Sequence, residues 1–371
     1  MRILFSSNPL IGRLLPLLPL ARALNAEGQH VGFSTAREMA AVLEPEGFDL
    51  LLFGPTAAEV TAEATRRAGL DILFQPAGDL AAEYFAGVRV DLLADEMLAR
   101  AGEWLPDIIV CEDCDLVGPL VAQALGVPCA VVATGPAPAP NMLDAMASAL
   151  RGRYAERGLQ PPSEVPSGRW LLDCCPASVN REGRTPPSQR IPMRPEPGRR
   201  AEQTPGTSRR SPDGRPRVLV TLDGEPAPTD RGRSPVLQAL SGLDIDVVIT
   251  DGNSWDAEML DGAAVVVHDG STDITFAAVA RGIPALVLPL SFDQRVRARG
   301  LDVAGAGVVL EPCGQRPDLI AAGLLRLLTD ARFSGSASRV REEIAAMPSA
   351  SEVARWLVAA VSREQGSGPP A

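Results

Sequence analysis

The sequence predicts an α/β protein built from two doubly wound domains, in which helices cover both faces of a parallel sheet. Strand and helix signals alternate along the first 150 residues, and the same alternation restarts after residue 216. The strand segments are apolar throughout, which is typical of strands that are buried on both faces. A chain of 371 residues with 46% hydrophobic content is long enough for two such cores.

The first half begins with a strand-helix-strand series, and this order predicts parallel pairing through right-handed crossovers. The predicted strands are "RILFSS", "HVGFST", "FDLLLFG", "PDIIVCE" and "PCAVVAT". The predicted helices are "LLPLLPLARALNAEGQ", "AREMAAVLEPEG" and "LVGPLVAQALG". We assign residues 1–180 to an N-terminal domain.

The second half repeats this series over residues 217–365, which we assign to a C-terminal domain. The predicted strands are "RVLVTLDG", "DVVITDG", "AAVVVHDG" and "PALVLPL". The predicted helices are "SPVLQALSGL", "DITFAAVARG", "RPDLIAAGLLRLLTD", "SRVREEIAAM" and "SEVARWLVAAVSREQ". The polar tail at residues 366–371 is predicted to be disordered.

Residues 181–216 are predicted to be an interdomain linker, because they are rich in Pro, Gly and Ser and contain few large apolar residues. Residues 181–217 carry ten Arg against four acidic residues. We interpret the stretch as solvated, and steering of an acidic partner is the alternative. Ligands of doubly wound sheets bind outside the carboxyl ends of the strands, so two such domains predict a site in a cleft between them.

The charge balance is acidic, with 35 basic and 46 acidic residues and a net charge of −11. Proteins that bind nucleic acid or anionic membranes are usually basic, so neither partner is expected. The sequence contains no lysine, which excludes Schiff-base and P-loop chemistry. The apolar N-terminal run is interrupted by Pro9 and Arg13, and no apolar run reaches the length of a membrane span. We therefore expect a soluble cytoplasmic protein.

Six cysteines in a chain of this length do not predict a disulfide framework. Cys111 and Cys114 have CxxC spacing, which is found in redox motifs and in half of a zinc site. The adjacent pair Cys174 and Cys175 does not supply a second CxxC. We favour buried thiols near a strand end over either functional role.

Four segments in order resemble the two-domain GT-B glycosyltransferases that attach deoxysugars to polyketide, enediyne and related antibiotics in actinobacteria. They are "NPLIGRLLPLLPLARAL", "GPLVAQALGVPCAVV", "HDGSTDITFAAVARGIPALVLPLSFDQ" and "AGAGVVL". The resemblance implies two Rossmann-like domains facing a cleft, with the acceptor in the N-terminal domain and a nucleotide-sugar in the C-terminal domain. It implies an inverting transfer from a dTDP- or UDP-linked sugar, with no metal and no required cofactor. It leaves two protein partners open: a second copy of the chain, or a partner glycosyltransferase.

The acceptor hydroxyl loses its proton as it attacks, so a general base must lie within hydrogen-bond reach. In the family this base is the His of a "GHxxP" loop after the first strand, which here reads "GRLLP" with Arg13 in place of the His. A guanidinium stays protonated and cannot accept that proton. The alternative base candidates follow the fourth strand: Glu112, Asp113 and Asp115.

The donor loop of the family, "HHGGSGTT", aligns with "HDGSTDIT" from His268. Asp269 then stands where the family has a His that faces the pyrophosphate, and a carboxylate there repels the donor unless it is protonated or paired. One hypothesis pairs the acidic residues at this end of the sheet, Asp223, Asp269 and Asp273, with a divalent cation. The resemblance implies these donor-binding residues: Thr221, Asp223, Ser254, His268, Asp269, Gly270, Ser271, Thr272, Asp273, Asp293 and Gln294.

The acceptor is expected to contact the loop after the first strand and two later segments of apolar and aromatic content. The expected contact residues are Asn8, Leu10, Phe74, Tyr84 and Met142. This content suits a lipophilic acceptor, and a packed helical hairpin is the alternative.

Three functions stay open on the sequence. The first is an active glycosyltransferase that uses another base. The second is a non-catalytic homologue that acts as an activator or a product-binding protein, which the lost His and the acidic donor loop favour. The third is another reaction on a polyketide-type acceptor. The retained His268 and the Asp293-Gln294 pair favour the first.

Overall fold

The computed structural model describes residues 1–69, 78–180, 188–198, 214–222, 233–250 and 257–366. The chain divides into two compact units. Unit 1 comprises Met1–Cys174, Glu182–Arg194 and Pro348–Ala371, and unit 2 comprises Cys175–Arg181 and Pro195–Met347. Among the described residues, no helix is both long and apolar enough to cross a membrane.

Each unit contains one parallel sheet, as predicted. The strands are β1 (Arg2–Ser6), β2 (His30–Thr35), β3 (Asp49–Leu52), β4 (Ile108–Glu112), β5 (Cys129–Ala133), β6 (Trp170–Asp173), β7 (Gln189–Pro192), β8 (Arg217–Thr221), β9 (Asp246–Thr250), β10 (Ala263–His268), β11 (Ala285–Val287) and β12 (Gly307–Val309). Among the described residues, the strand order is β3-β2-β1-β4-β5-β6-β7 in unit 1 and β12-β11-β10-β8-β9 in unit 2.

Helices connect these strands in both units. They are α1 (Ile11–Leu14), α2 (Leu18–Ala26), α3 (Ala40–Leu43), α4 (Ala57–Ala68), α5 (Gly78–Ala82), α6 (Arg89–Trp104), α7 (Val117–Leu125), α8 (Pro140–Glu156), α9 (Arg233–Leu240), α10 (Thr272–Val279), α11 (Phe292–Val303), α12 (Pro317–Thr329), α13 (Ala331–Ala346) and α14 (Ala350–Gly366). A π-helical turn, Glu83–Val88, joins α5 to α6. The first predicted helix begins with a 3₁₀ turn, Leu15–Leu17, that contains Pro16, and α2 follows this turn.

Two segments depart from the predicted domain boundaries. β7 lies within the predicted linker but pairs in parallel with β6, and Arg190 Nε lies 2.6 Å from Asp173 Oδ2 across that pair. Its sequence, "QRIP", carries no apolar signal because it is a largely exposed edge strand. The last helix, α14, was assigned to the C-terminal domain but belongs to unit 1.

The helix α14 belongs to unit 1 because its apolar face packs there. Val353, Ala354, Leu357 and Val361 are buried in the same cluster as the side chains of α2 and β1. The indole rings of Trp356 and Trp170 also meet edge to face, with centroids 5.9 Å apart. An amphipathic pattern predicts a helix but does not identify the sheet that the helix covers.

The core of unit 2 lies on both faces of its sheet. Val218 and Val220 of β8 pack against α9 and α12, whereas Leu219 between them packs against α10. Alternate side chains of a strand point to opposite faces, so an apolar strand needs helices on both sides. The continuous apolar runs of the sequence are explained by this covering of both faces of the sheet.

The parallel register of unit 1 brings three chain segments together at one edge of its sheet. Ser6 of β1 is level with Cys111 of β4, and Cys111 is level with Val131 of β5. The residues that follow these three strands therefore meet at the carboxyl ends, where doubly wound sheets hold their ligands.

Candidate active site

Arg13 lies in α1 and is only 6% exposed. Its Nη1 donates to Asp113 Oδ1 at 2.7 Å and to Thr134 Oγ1 at 3.3 Å. The Thr134 hydroxyl donates in turn to Asp113 Oδ1 at 3.3 Å. The guanidinium carbon stands 5.8 Å from the centroid of the Phe85 ring, within the range of a cation–π contact. The residue that replaces the expected His is thus a buried partner of Asp113.

Glu112, the last residue of β4, is fully buried. Its Oε1 accepts from the side-chain amide of Asn8 at 2.5 Å and from the Asn8 backbone N–H at 3.3 Å, and its Oε2 accepts from the Cys114 N–H at 2.7 Å. Burial raises the pKa of Glu112 to about 7, and the charge of Arg13, whose Nη1 is 3.6 Å from Oε2, opposes that rise. This carboxyl therefore titrates near neutral pH.

The two predicted base candidates after β4 have different environments. Asp115 is 1% exposed; it accepts a short hydrogen bond from the Ser6 hydroxyl, and its Oδ1 accepts from the Val117 N–H at the start of α7. These contacts give Asp115 a structural role at the N-terminus of that helix. The Asp113 side chain keeps 18% exposure, so of the two it is the one that a substrate can reach.

Arg89, the first residue of α6, is a member of this cluster that the sequence did not indicate. It is fully buried, and its Nε donates to Asn8 Oδ1 while its Nη2 donates to the Ser7 carbonyl, each at 3.1 Å. Burial lowers the pKa of Arg89, and the nearby carboxyl of Asp115 opposes that shift. A lone arginine in the apolar run "YFAGVRVDLL" was the available signal.

The predicted acceptor-binding residues fall in three kinds of place. Asn8 is buried in the Glu112 cluster, and Leu10 is half-buried in the loop after β1. Tyr84 and Met142 are buried in the π-helical turn and in α8. Phe74 lies outside the described residues, as do the predicted donor residues Asp223 and Ser254.

In unit 2, the strand ends β8, β9 and β10 place three polar side chains in one row. The register pairs Thr221 with His268 and with Thr250. The hydroxyls of both threonines and the Nε2 of His268 are buried and contact no hydrogen-bond partner in the part of the chain that the structure describes. Such unsatisfied groups are expected where a ligand supplies the missing partners.

His268 is a neutral imidazole. Its Nδ1 accepts from the Gly270 N–H at 2.9 Å, which puts the ring proton on Nε2. Burial lowers the pKa of His268 to about 3, and the charge of Arg297 adds to that effect. The ring is therefore a hydrogen-bond donor over the physiological pH range.

Asp269, at the position of the expected pyrophosphate-facing His, is 2% exposed. Its Oδ1 accepts from the N–H and the hydroxyl of Ser271, and its Oδ2 accepts from Gln294 Nε2 at 2.6 Å. Burial raises the pKa of Asp269 to about 6, and the Ser271 hydrogen bonds and Arg297 oppose it. Ser271, with Thr272 and Asp273, forms the start of α10.

Gln294, one of the predicted donor-binding residues, is hydrogen-bonded at both ends of its side-chain amide. Its Oε1 accepts from the N–H groups of Leu290 and Ser291 in a capping box at the start of α11. Its Nε2 donates to Asp269, so the amide joins α11 to the donor loop. Asp293 lies beside it in the first turn of α11. Arg297 Nε donates to the Gly270 carbonyl at 2.7 Å. This second hydrogen bond between α11 and the donor loop was not indicated by the sequence.

The sequence hypothesis of a divalent cation concerns Asp223, Asp269 and Asp273. Both oxygens of Asp269 accept from protein donors, which supports neutralisation by hydrogen bonds in place of a cation. Within the described residues, one group of potential ligands lies close together, with the ligand atoms of Glu112, Asp113 and Cys114 within 4.8 Å of one another. The Arg13 guanidinium already supplies the positive charge there.

Known proteins resemble this chain over most of its length. Residues 29–223 match the family model "Erythromycin biosynthesis protein CIII-like, N-terminal domain", and residues 256–360 match the corresponding C-terminal domain. The chain is 30% identical over 294 residues to a 10-deoxymethynolide desosaminyltransferase of Streptomyces venezuelae, which covers 68% of this chain and 67% of that protein. It is 28% identical over 340 residues to a TDP-daunosamine transferase of Streptomyces peucetius, covering 80% and 78% of the two.

Solved structures agree with these relatives. The structure of a spinosyn rhamnosyltransferase complexed with spinosyn aglycone has a TM-score of 0.79 and 25% identity to this chain. The similarity covers 96% of this chain and 100% of that one.

Proposed function

This chain belongs to the erythromycin biosynthesis protein CIII-like family of GT-B glycosyltransferases, and we propose that it transfers a deoxysugar from a thymidine-diphosphate donor to a polyketide-type acceptor, with inversion. Relatives named for transfer to 10-deoxymethynolide and from TDP-daunosamine support both substrate classes. The similar structure with a bound spinosyn aglycone supports a lipophilic acceptor. These relatives are transferases, so they do not support the non-catalytic alternative.

The ion pair between Arg13 and Asp113 is the observation that decides the mechanism we propose. A guanidinium cannot accept a proton, whereas the Asp113 carboxyl accepts hydrogen bonds from two donors and is partly exposed. The acceptor hydroxyl gives its proton to Asp113 as its oxygen forms a bond to the anomeric carbon. The bond from that carbon to the diphosphate breaks on the opposite face, and the nucleoside diphosphate leaves with the electron pair. Arg13 holds the Asp113 carboxylate in place for this step.

The donor is proposed to bind at the row formed by Thr221, Thr250 and His268. The Nε2–H of His268 and the Thr221 hydroxyl are buried donors without a partner among the described residues, and they suit diphosphate oxygens. The N-terminus of α10 adds backbone N–H groups to the same strand end. Asp269 is compatible with an anionic donor because its carboxyl is hydrogen-bonded on both oxygens and its pKa is raised by burial.

Calorimetry with thymidine diphosphate and a TDP-linked sugar, with and without magnesium, tests this proposal. We expect binding in both cases, with no requirement for magnesium. Absence of heat at millimolar nucleotide would overturn the assignment of a nucleotide-sugar donor. A transfer assay with the same sugar and a macrolide or anthracycline aglycone then tests turnover.

A further inference from the structure

Arg89, Asn8 and Glu112 form a hydrogen-bonded series inside unit 1. Arginine has only donors, so the Asn8 atom that faces Arg89 Nε is the amide oxygen, and the amide nitrogen faces Glu112. Arg89 also donates to the Ser7 carbonyl, which fixes the backbone of the same loop. The orientation of the Asn8 amide is thus set by Arg89.

This orientation matters for Glu112. Each of its hydrogen bonds from Asn8 and Cys114 comes from an N–H group, and donors favour the ionised form of a carboxyl. Complete burial favours the neutral form. If the Asn8 amide turned over, its oxygen would face Glu112 Oε1, and that contact requires a protonated carboxyl.

The charge on Glu112 reaches the proposed base through Arg13. The same Nη1 lies 3.6 Å from Glu112 Oε2 and 2.7 Å from Asp113 Oδ1. When both carboxyls are ionised, one cation is shared between two anions. When Glu112 is protonated, Arg13 compensates Asp113 alone, and a fully compensated carboxylate is a weaker base.

We propose that Arg89 is a positioning residue for glycosyl transfer: by orienting the Asn8 amide, it keeps Glu112 ionisable and so keeps Arg13 shared between Glu112 and Asp113. This inference rests on the proposed role of Asp113 as the base. The charged groups that face Glu112 come from three places: Arg13 on α1, Arg89 on α6, and Asp113 and Asp115 in the loop after β4.

The direct test is the titration of Glu112 in the protein without substrates. Carboxyl carbons of glutamate are labelled with ¹³C, and the Glu112 signal is assigned by its loss in Glu112→Gln. Arg89→Met and Asn8→Ala are each expected to raise the titration midpoint of Glu112 by about one pH unit, because each removes the oriented donor. Arg217→Met, which removes a mostly buried arginine of unit 2 paired with Asp246, should leave that midpoint unchanged.

The double variant Arg89→Met/Asn8→Ala separates an effect through Asn8 from a direct charge effect. We expect its midpoint to exceed that of Asn8→Ala by clearly less than the shift in Arg89→Met, because only the direct charge effect of Arg89 then remains. Additive shifts, or an unchanged midpoint in Arg89→Met, would overturn the inference. Should Arg89→Met fail to fold, Asn8→Ala decides alone, since an unshifted midpoint there removes the link to Glu112.

Kinetics supply the second readout. Arg89→Met is expected to lower kcat about five-fold at pH 7 with little change in the acceptor KM, and to regain activity as the pH rises. A purely structural loss would lower kcat at all pH values. If no variant or wild-type protein transfers sugar, the proposed function fails, while the Glu112 titration still tests the link from Arg89 to Glu112.

Discussion

Arg13 Nη1 and Asp113 Oδ1 lie 2.7 Å apart, although the two residues are separated by 100 positions in the sequence. The pair joins the helix after the first strand to the loop after the fourth. It places a permanent cation at the position where the resemblance predicts a His, and a carboxyl group directly beside it. We therefore expect Asp113, and not the residue at position 13, to act as the general base.

Asp113→Asn removes the proposed proton acceptor and keeps its shape. We expect kcat/KM to fall by about 10²–10⁴, the usual contribution of general-base catalysis, with donor binding unchanged. The measurement is an initial-rate assay combined with calorimetry for thymidine diphosphate. Asp95→Asn, at an exposed acid paired with Arg157, is the matched control and should retain full activity. Full activity in Asp113→Asn would show that another group accepts the proton.

Arg13→Met removes the cation that lies between two carboxyls. The expected loss of stability is about 3 kcal/mol, because breaking a buried ion pair leaves uncompensated charge. Adding Glu112→Gln should recover part of it, since one of the two repelling carboxyls is then neutral. Urea unfolding followed by tryptophan fluorescence measures both variants. Arg316→Met, at an exposed pair with Asp318, should leave the unfolding midpoint where it is.

The stability of unit 1 should depend on the ionisation of Glu112. Its pKa rises from 4.5 to about 7 on folding, so between these values the folded state binds a proton that the unfolded state has lost. The contribution of Glu112 to the free energy of unfolding is fully present below pH 4.5 and is lost as the pH rises through 7. The whole loss is about 3 kcal/mol. Glu112→Gln should abolish that loss. Parallel curves for the two proteins from pH 4.5 to 8 would contradict the assignment.

Donor affinity should also decrease as the pH rises, because of the ionisation of Asp269. Its pKa of about 6 makes the carboxyl neutral below that pH and anionic above it, near the proposed diphosphate site. We expect binding of a TDP-linked sugar to weaken about ten-fold from pH 5 to pH 7.5, and Asp269→Asn to remove this dependence. A nucleotide-sugar is the right probe because, unlike a free terminal phosphate, it has no group that titrates near pH 6. Asp302→Asn, at an exposed residue of α11, should keep the wild-type dependence.

Gly270 allows the donor loop to pass close to α11. Its φ of +95° is one that other residues rarely adopt, and a Cβ there would lie 2.9 Å from the Gln294 carbonyl oxygen. Gly270→Ala should therefore weaken donor binding by about ten-fold or more while unit 2 stays folded. Gly242→Ala, where an added Cβ meets nothing within 4 Å, is the control for a change of Gly to Ala in the same unit. Equal affinities in the two variants would mean that the loop does not form the donor site.

The sequence was sufficient for the central strands because their side chains are buried on both faces. "RILFSS" and "AAVVVHDG" contain continuous apolar runs, which are typical of strands covered on both faces, and they form β1 and β10. It did not reveal β7, whose exposed edge position leaves the polar residues of "QRIP" without a pattern. The alternation of strands and helices also could not indicate that α14 returns to unit 1.

The sequence could predict the kind of site, but it could not predict which partners the site residues contact. The resemblance marked Arg13 and Asp269 as departures from the family, but their consequences depend on partners far away in sequence. Asp113 and Asp115 are the same residue type, and they differ because one pairs with Arg13 and the other accepts from the Val117 N–H at the start of α7. As a lone arginine in an apolar run, Arg89 could be noticed in the sequence, but its partners could not be predicted, since only the folded loop brings Ser7 and Asn8 to it.

The return of α14 to unit 1 affects how this enzyme can be divided and recombined. A fragment that ends before β8 lacks the helix whose Val353, Leu357 and Val361 complete the core of unit 1, so it should expose that core and aggregate. Chimaeras that exchange unit 1 between related transferases must therefore take two pieces from one parent, the N-terminal stretch and the segment from Pro348 onward. A single crossover near residue 195 would pair an α14 from one parent with a sheet from the other.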